Sequence, residues 1–211
     1  MTEWLDGFRA LPSFGLGGLA VLLLYGLQSE VRFGAKARSH AAGSADRGSS
    51  VALSCASLVV VFGFVLAMKA PGASWLPGWF RAASLPGMPA AAWAGVAIGA
   101  LGLALRLWSV FTLRERYTRT LLTHESQKVE RNGPYRWVRH PGYLGSLLAL
   151  NGVAIASGNG ITVLASLLAT CAGYSYRIRV EDEMLVAALG PEYEAYRREV
   201  PALIPFTGVP R

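Results

Sequence analysis

Two polar clusters flank a long uncharged stretch in the second half of the chain, and they carry the side chains best suited to chemistry. Arg139-His140-Pro141 stands before the stretch, and after it come Arg177, Arg179, Glu181, Asp182 and Glu183. A helix that begins at Pro141 would present free amides, which suit a carboxylate or a polarised hydroxyl. The acids would suit an ammonium or ribose hydroxyls, so a zwitterionic soluble cofactor would fit the pair of clusters. Arg177 could meet an anionic headgroup through a forked contact.

Each of these residues also has an ordinary structural explanation. Arg139 can anchor the chain at a membrane surface, Pro141 suits the first position of a helix, and a lone His140 at an interface is more often structural. Arg177 and Glu181 lie four residues apart and can form a routine helical pair. The HExxH, GxSxG, P-loop and paired-cysteine motifs do not occur, so hydrolytic and nucleoside-triphosphate chemistries lack support and no metal site is assigned.

Five apolar stretches must position these side chains, each close to the 17 or so residues that the shortest membrane-crossing helices need. They are Leu11–Leu27, Val51–Met68, Pro89–Leu105, Gly142–Ser157 and Gly160–Tyr176. The chain of 211 residues is 53% hydrophobic and 16% charged, with a mean hydropathy of +0.36. We therefore expect an all-α, polytopic membrane protein of one domain, with five transmembrane helices and cytosolic C-terminal helices.

The last two apolar stretches predict a tight helical hairpin. No charged residue occurs from Pro141 to Tyr176, and a single helix of that length would measure roughly 50 Å, too long for one crossing. Gly158-Asn159-Gly160 lies in the middle, where turn-forming residues let the chain reverse. Because a hairpin brings its two outer ends to one membrane face, we expect His140 near Glu181. The preceding loop should deliver Gly133-Pro134-Tyr135 to the same place.

The distribution of basic residues predicts the orientation in the membrane. Lys and Arg number four between the first two stretches, eight between the third and fourth when Arg106 is included, and five after the fifth. By the positive-inside rule the N-terminus lies outside and the C-terminus in the cytosol. The net charge of +7 therefore reports topology and predicts no nucleic-acid partner. The segment from Ser29 to Ser50 is interpreted as a mobile cytosolic linker without visible chemistry.

At the polar clusters the chain resembles the membrane methyltransferases of the isoprenylcysteine carboxyl methyltransferase family, and relatives that methylate phospholipid amines. The resemblance rests on Asn132–Gly145, Arg177–Asp182, Leu189–Tyr196, Val200-Pro201 and Ile204-Pro205. It covers roughly half of the chain, from Leu103 to Phe206. It implies a division of the single integral-membrane domain 1–211 into N-terminal spans and a linker, residues 1–88, and a methyltransferase core with a cytosolic cofactor site, residues 89–211.

The resemblance implies an enzyme that depends on S-adenosylmethionine. It implies that the cofactor site is lined by Gln127, Lys128, Val129, Glu130, Tyr135, His140, Pro141, Gly142 and Tyr143. It further implies that Glu181 binds the cofactor and that Arg177 faces the methyl-accepting group, which makes these two residues the catalytic candidates.

The arginine favours a carboxylate as the methyl-accepting group, and so O-methylation of a lipophilic, isoprenylcysteine-like or prenylated acceptor. A carboxylate is already nucleophilic and needs no general base. The alternative is N-methylation of a phospholipid amine, for which Glu181 or Asp182 could take up a proton. Two interpretations come from other classes: an NADPH-dependent membrane reductase, because sterol reductases share a related helical design, and a non-catalytic membrane scaffold. The acceptor and the oligomeric state stay open at this point.

Overall fold

The computed structural model describes residues 12–30, 46–113 and 129–205, which are predominantly helical. The α-helices in these ranges are α1 (Ser13–Glu30), α2 (Ser49–Lys69), α3 (Gly78–Arg81), α4 (Ala90–Leu113), α5 (Pro141–Ala156), α6 (Gly160–Leu189) and α7 (Pro191–Glu199). Short 3₁₀ turns cover Ala70–Gly72 and Gly133–Arg136. Within the described ranges no strand forms beyond an isolated bridge between Ser84 and Asn159. The predicted all-α class is confirmed.

A helix lies at each of the five predicted apolar stretches. Three segments are long and apolar enough to cross a membrane, namely Ser49–Gly72, Ala90–Leu113 and Gly160–Leu189. Two further apolar helices, Ser13–Gln28 and Pro141–Ala156, are shorter. Large apolar side chains on the outside of these helices, such as Phe62 and Leu168, are more than 60% exposed. Such an apolar exterior is what a lipid environment requires.

The helices α4 and α5 pack so closely that positions between them admit only glycine. A Cβ on Gly102 would lie 2.4 Å from the backbone nitrogen of Ala149, and a Cβ on Gly95 would lie 2.5 Å from that of Ala156. Small residues are the usual means by which helix backbones approach one another in a membrane. This contact fixes the position of α5, whose first turn carries part of the candidate site.

Polar side chains join four of the helices inside the bundle. The Nη1 of Arg106 on α4 donates to the hydroxyl of Ser146 on α5 over 2.7 Å, and its guanidinium lies 5.3 Å from the centre of the Tyr25 ring on α1. The hydroxyl of Tyr25 is 3.1 Å from that of Tyr174 on α6. Arg106 therefore faces protein rather than lipid.

The predicted hairpin between α5 and α6 is confirmed, and its turn is held from outside. Gly158 adopts a φ of 70°, a left-handed conformation that favours glycine. The side-chain oxygen of Asn159 accepts from the amide of Thr162 over 3.0 Å, which caps α6. Its Nδ2 donates to the carbonyl of Phe80 over 2.8 Å. The turn is thus tied to α3.

The helix α6 does not end with its apolar stretch at Tyr176 but continues to Leu189. Its second part is rich in Arg, Glu, Met, Leu and Ala, which favour helix. The acids at 181–183 therefore lie on the same helix as the apolar residues below them. After a bend at Gly190, α7 packs Tyr193 and Tyr196 against Leu185 and its neighbours on α6.

Candidate active site at the base of the hairpin

Asp182 has hydrogen-bond partners on both oxygens of its carboxylate. The Nε2 of His140 lies 2.9 Å from its Oδ1, Tyr193 donates to the same oxygen over 2.5 Å, and Arg139 donates to Oδ2 over 2.9 Å. Burial and the adjacent carboxylate raise the pKa of Tyr193, so this phenol stays protonated and donates. Both oxygens of Asp182 are therefore engaged in joining the start of α5 to α6 and α7.

The segment after α7 holds the start of α5 in place. The backbone amide of Arg139 donates to the carbonyl of Pro201 over 2.8 Å, and that of His140 donates to the carbonyl of Ala202 over 3.1 Å. The Nη1 of Arg139 also donates to the carbonyl of Val200 over 2.5 Å. Arg139, which the sequence explained as an interfacial anchor, is thus mainly a link between elements of the site.

Tyr143 connects the two predicted catalytic residues. Its hydroxyl accepts from the Nε of Arg177 over 3.0 Å and donates to the carboxylate of Glu181. The ring of His140 stacks on that of Tyr143, with centroids 5.5 Å apart and planes 11° from parallel. The Nδ1 of His140 lies 4.0 Å from Glu181. The predicted meeting of His140, Tyr143, Arg177 and Glu181 is therefore observed.

Arg177 has a second acidic neighbour, which comes from the segment before α2. Its Nη1 donates to the carboxylate of Asp46 and to the hydroxyl of Ser49 over 2.8 Å. Burial tends to raise the pKa of Asp46, but hydrogen bonds from Ser50 and Ser49 and the charge of Arg177 outweigh it and lower that pKa. Asp46 is therefore ionised at neutral pH, and the guanidinium is already paired with a carboxylate.

Tyr135 lies in a segment beside this group. It is buried in the 3₁₀ turn Gly133–Arg136, its hydroxyl is 3.5 Å from the carbonyl of Ser109, and its own carbonyl accepts from Tyr196 over 2.6 Å. Val129 packs against the tyrosines of α7, and Glu130 accepts from the side chain of Asn132 over 2.7 Å. Gln127 and Lys128 lie outside the described residues.

The first turn of α5 offers fewer free amides than a bare helix terminus. Pro141 has no amide hydrogen, and the amides of Tyr143 and Leu144 donate to the carbonyl of His140 over 3.1 and 3.0 Å. Those two amides are therefore not available to a ligand. Gly142 follows the buried Pro141, and a Cβ on Gly142 would meet only the Cβ of Ser109 at 3.8 Å.

The interpretation of the segment Ser29 to Ser50 as a linker without chemistry is wrong for its last five residues. Asp46, Ser49 and Ser50 all contact Arg177. A weak signal existed in the sequence, because Asp and Ser are residue types favoured near the beginning of a helix. What the sequence lacked was any indication that this helix start lies against α6.

The charges of the site favour a ligand with a net positive charge. Asp46, Glu181 and Asp182 supply three carboxylates, while Arg139 and Arg177 supply two guanidinium groups. The side chain of Glu181 is 23% exposed and that of Asp182 is 10% exposed. Both oxygens of Asp182 already accept hydrogen bonds. Glu181 is therefore the acid that can accept a hydrogen bond from a ligand. No group of three or more His, Cys, Asp or Glu side chains within the described part of the chain could hold a metal ion.

These observations define an all-helical membrane protein with a polar site where the hairpin helices leave the apolar layer. Residues 95–187 match the model of the Isoprenylcysteine carboxyl methyltransferase (ICMT) family. The match runs from α4 through most of α6 and confirms the resemblance to this family stated above. The described residues of the site lie within the match, except for Asp46 with its serines and Tyr193 with the segment after it.

The chain is also similar to individual curated proteins. A "Probable protein-S-isoprenylcysteine O-methyltransferase" of Oryza sativa subsp. indica is 31% identical over 114 residues, which cover 53% of this chain and 60% of the relative. The "Cobalt-zinc-cadmium resistance protein CzcN" of Cupriavidus metallidurans is 33% identical over 112 residues, covering 51% of this chain and 48% of that protein. The chain thus spans about half to three fifths of the length of these curated relatives.

The fold is shared with a solved structure described as the eukaryotic intramembrane Ras methyltransferase ICMT. The superposition covers 92% of this chain and 64% of that protein, with a TM-score of 0.54 and 20% sequence identity. At that identity the likeness is one of fold. It includes the N-terminal helices, for which the sequence offered no recognisable motif.

Proposed function

We propose that this protein is an S-adenosylmethionine-dependent methyltransferase that acts at the cytosolic membrane interface on a lipophilic acceptor. The acceptor group that best suits the site is a carboxylate of an isoprenylcysteine-like substrate, which would be O-methylated. The observation that carries the proposal is the linked set Arg177–Tyr143–Glu181 at the base of a membrane hairpin whose sequence matches the family model.

The residues present fit the proposed cofactor by the chemistry of their donors and acceptors. S-adenosylmethionine supplies an electrophilic methyl group on a sulfonium and carries one net positive charge, which the excess of carboxylates in the site would balance. Glu181 would accept from its ammonium or ribose hydroxyls, and Tyr143 holds Glu181 in position through its hydroxyl. His140 is fixed between Asp182 and the Tyr143 ring and would line the cofactor site.

The acceptor needs orientation more than activation. A carboxylate is nucleophilic without a base, so the protein must mainly bring it into line with the donor, a step in which positioning supplies most of the rate gain. Arg177 is held rigidly by Tyr143 and by the start of α2 and would orient the acceptor. Apolar helix surfaces on either side would leave the lipid tail in the bilayer.

An amine acceptor is the second candidate, and one observation favours it. Arg177 already has a carboxylate partner in Asp46, so a neutral amine could enter without displacing a charge. Such an acceptor must lose a proton, and Glu181 would be the base because Asp182 is saturated with donors. Incubating the purified protein with labelled methyl donor and total membrane extract, followed by identification of the labelled product, separates esters from methylated amines.

Binding of the cofactor is the first test of the proposal. Labelled S-adenosylmethionine should bind the protein in detergent and be displaced by S-adenosylhomocysteine but not by NADPH. Displacement by NADPH alone would favour a reductase, and no response to either would favour a non-catalytic scaffold.

We also propose that all five apolar helices cross the membrane, with the N-terminus outside and the C-terminus in the cytosol. Single cysteines at the exposed positions Gly78 and Glu192, in a background without Cys55 and Cys171, provide the test. In intact cells a membrane-impermeant thiol reagent should label Gly78→Cys and should leave Glu192→Cys unlabelled until the cells are opened. The reverse pattern would invert the topology.

A further inference from the structure

The segment that begins α2 places a carboxylate directly on Arg177. The Nη1 of this arginine donates to Asp46, to Ser49 over 2.8 Å and to Ser50 over 3.2 Å. The side chain of Arg177 is 3% exposed and that of Asp46 is 14% exposed. In so dry a position the attraction between the two charges is screened much less than at an open surface.

Asp46 is fixed by the geometry of the turn in which it lies. The next two residues, Arg47 and Gly48, both have positive φ angles, 46° and 74°, which turn the chain back toward the first turn of α2. The carboxylate of Asp46 then accepts from the backbone amide of Ser50 over 3.0 Å and from the hydroxyl of Ser49 over 2.9 Å. A left-handed conformation at a residue other than glycine carries a conformational cost, which marks such turns as places to look for function.

The same turn is held on α6 by contacts that do not involve Arg177. Arg47 forms an ion pair of 2.6 Å with Glu183, and its carbonyl accepts from the hydroxyl of Tyr176 over 2.7 Å. The contact between Asp46 and Arg177 therefore depends on the position of the turn and not only on the rotamer of one side chain. The whole turn is docked on the helix that carries the acceptor-facing arginine.

We infer that Asp46 occupies on Arg177 the place that an acceptor's carboxylate takes, and that it is a specificity-determining residue of the site. A carboxylate acceptor binds by displacing Asp46, because two carboxylates that share one guanidinium repel each other. A neutral acceptor group does not have to displace it. Asp46 thus sets the affinity for acidic acceptors and leaves that for neutral analogues unchanged. The inference rests on the proposed function in one respect, the assignment of Arg177 as the acceptor contact.

The substitution Asp46→Asn tests this directly, because asparagine and aspartate are equally good at accepting from the first amides of a helix. The variant keeps a side-chain oxygen at the start of α2 and removes the negative charge that is paired with Arg177. N-acetyl-S-farnesylcysteine and its primary amide serve as probes, titrated into the protein in detergent without methyl donor. We expect Asp46→Asn to bind the carboxylate probe about tenfold more tightly than the wild type. The affinity for the amide probe should change by less than about twofold, since no charge is exchanged.

Glu183→Gln is the matched control, since it removes the neighbouring exposed ion pair with Arg47 and leaves Asp46 charged. It should leave both affinities as in the wild type. An equal gain in affinity for the carboxylate probe in Glu183→Gln would overturn the inference. It would mean that loosening of the turn, and not loss of a competing carboxylate, governs binding. An unchanged or weakened carboxylate affinity in Asp46→Asn overturns it as well, as does failure of both proteins to bind the carboxylate probe.

Failure of this inference is distinguishable from failure of the proposed function. A selective gain for the carboxylate in a protein that does not bind S-adenosylmethionine would support competition at Arg177 and reject the methyltransferase. Binding of S-adenosylmethionine, together with equal affinities of wild type and Asp46→Asn for the carboxylate probe, would support the methyltransferase and reject competition at Arg177.

Discussion

The Oδ1 of Asp182 and the Nε2 of His140 lie 2.9 Å apart, although 42 residues of chain separate them. This contact closes the open end of the hairpin formed by α5 and α6. It also explains why the second acid of the pair at 181 and 182 is a poor candidate for ligand binding. Both of its oxygens hold the site together, so Glu181 is the acid that we propose to bind the ligand.

Replacing Asp182 by Asn should therefore lower the folding stability of the protein. Removing the charge leaves Arg139 buried without its carboxylate, a change that typically costs about 3–5 kcal/mol. Thermal unfolding in detergent measures the loss. Glu183→Gln, the next residue along and half exposed, is the control and should change stability by less than about 1 kcal/mol. Equal unfolding temperatures for the two variants would show that Asp182 does not have this structural role.

Tyr143→Phe should weaken cofactor binding while the fold is retained. The variant keeps the ring that stacks on His140 but removes the hydroxyl shared by Arg177 and Glu181. Leaving buried polar groups without a partner should raise the dissociation constant of S-adenosylmethionine about tenfold, measured by calorimetry. Tyr174→Phe removes another phenol hydroxyl of the bundle, one that contacts Tyr25. If that variant loses as much affinity, the effect of Tyr143 is not specific to the site.

Arg177 is expected to act on the acceptor and not on the cofactor. Arg177→Ala should lower turnover by about two orders of magnitude, the scale on which loss of a positioning group is felt, with little change in affinity for S-adenosylmethionine. Arg177→Lys should be only partly active, because lysine cannot reproduce the forked contact. Kinetics with a farnesylcysteine acceptor, together with cofactor binding, provide the measurement. Parallel loss of turnover and cofactor affinity in Arg177→Ala would contradict this division of roles.

Gly102→Ala should separate α4 from α5 and disturb the site from a distance. The new Cβ would lie 2.4 Å from the backbone nitrogen of Ala149, and backbone cannot yield as a flexible side chain can. We expect a loss of about 1–3 kcal/mol in thermal stability. Gly26→Ala, in the exposed part of α1 with nothing within 4 Å of its Cβ, should be neutral or stabilise by up to about 1 kcal/mol. A Gly102→Ala protein as stable as Gly26→Ala would rule out tight packing at this position.

The parts of the fold that the sequence predicted are those governed by local chemistry and by the thickness of a bilayer. Gly158-Asn159-Gly160 marks the reversal because its residues tolerate the turn, and an apolar run too long for one crossing requires one. Once the reversal is known, His140 must lie near Glu181. The apolar stretch ends at Tyr176, but charge does not end a helix, and α6 continues to Leu189 with Arg177 and Glu181 on one helix as the sequence allowed.

The partner of Arg177 could not be predicted in the same way. Asp46 precedes it by 131 residues, and the predicted topology puts the start of α2 and the charged part of α6 on one membrane face without indicating that they are neighbours. Only the packing of the two helices brings them together. The role of the segment at 200–202 was hidden for a similar reason, because its contacts with Arg139 and His140 use backbone carbonyls, which any residue type supplies.

The backbone bonds from Arg139 and His140 to Pro201 and Ala202 also set an order of events during biosynthesis. The two hairpin helices can leave the translocation machinery and enter the lipid while the polypeptide is still growing. Their polar rim, however, stays incomplete until the ribosome has released the residues around 202. A nascent chain halted just before that point would lack the carbonyls to which Arg139 and His140 donate, so we expect the site to mature only after the hairpin has been inserted.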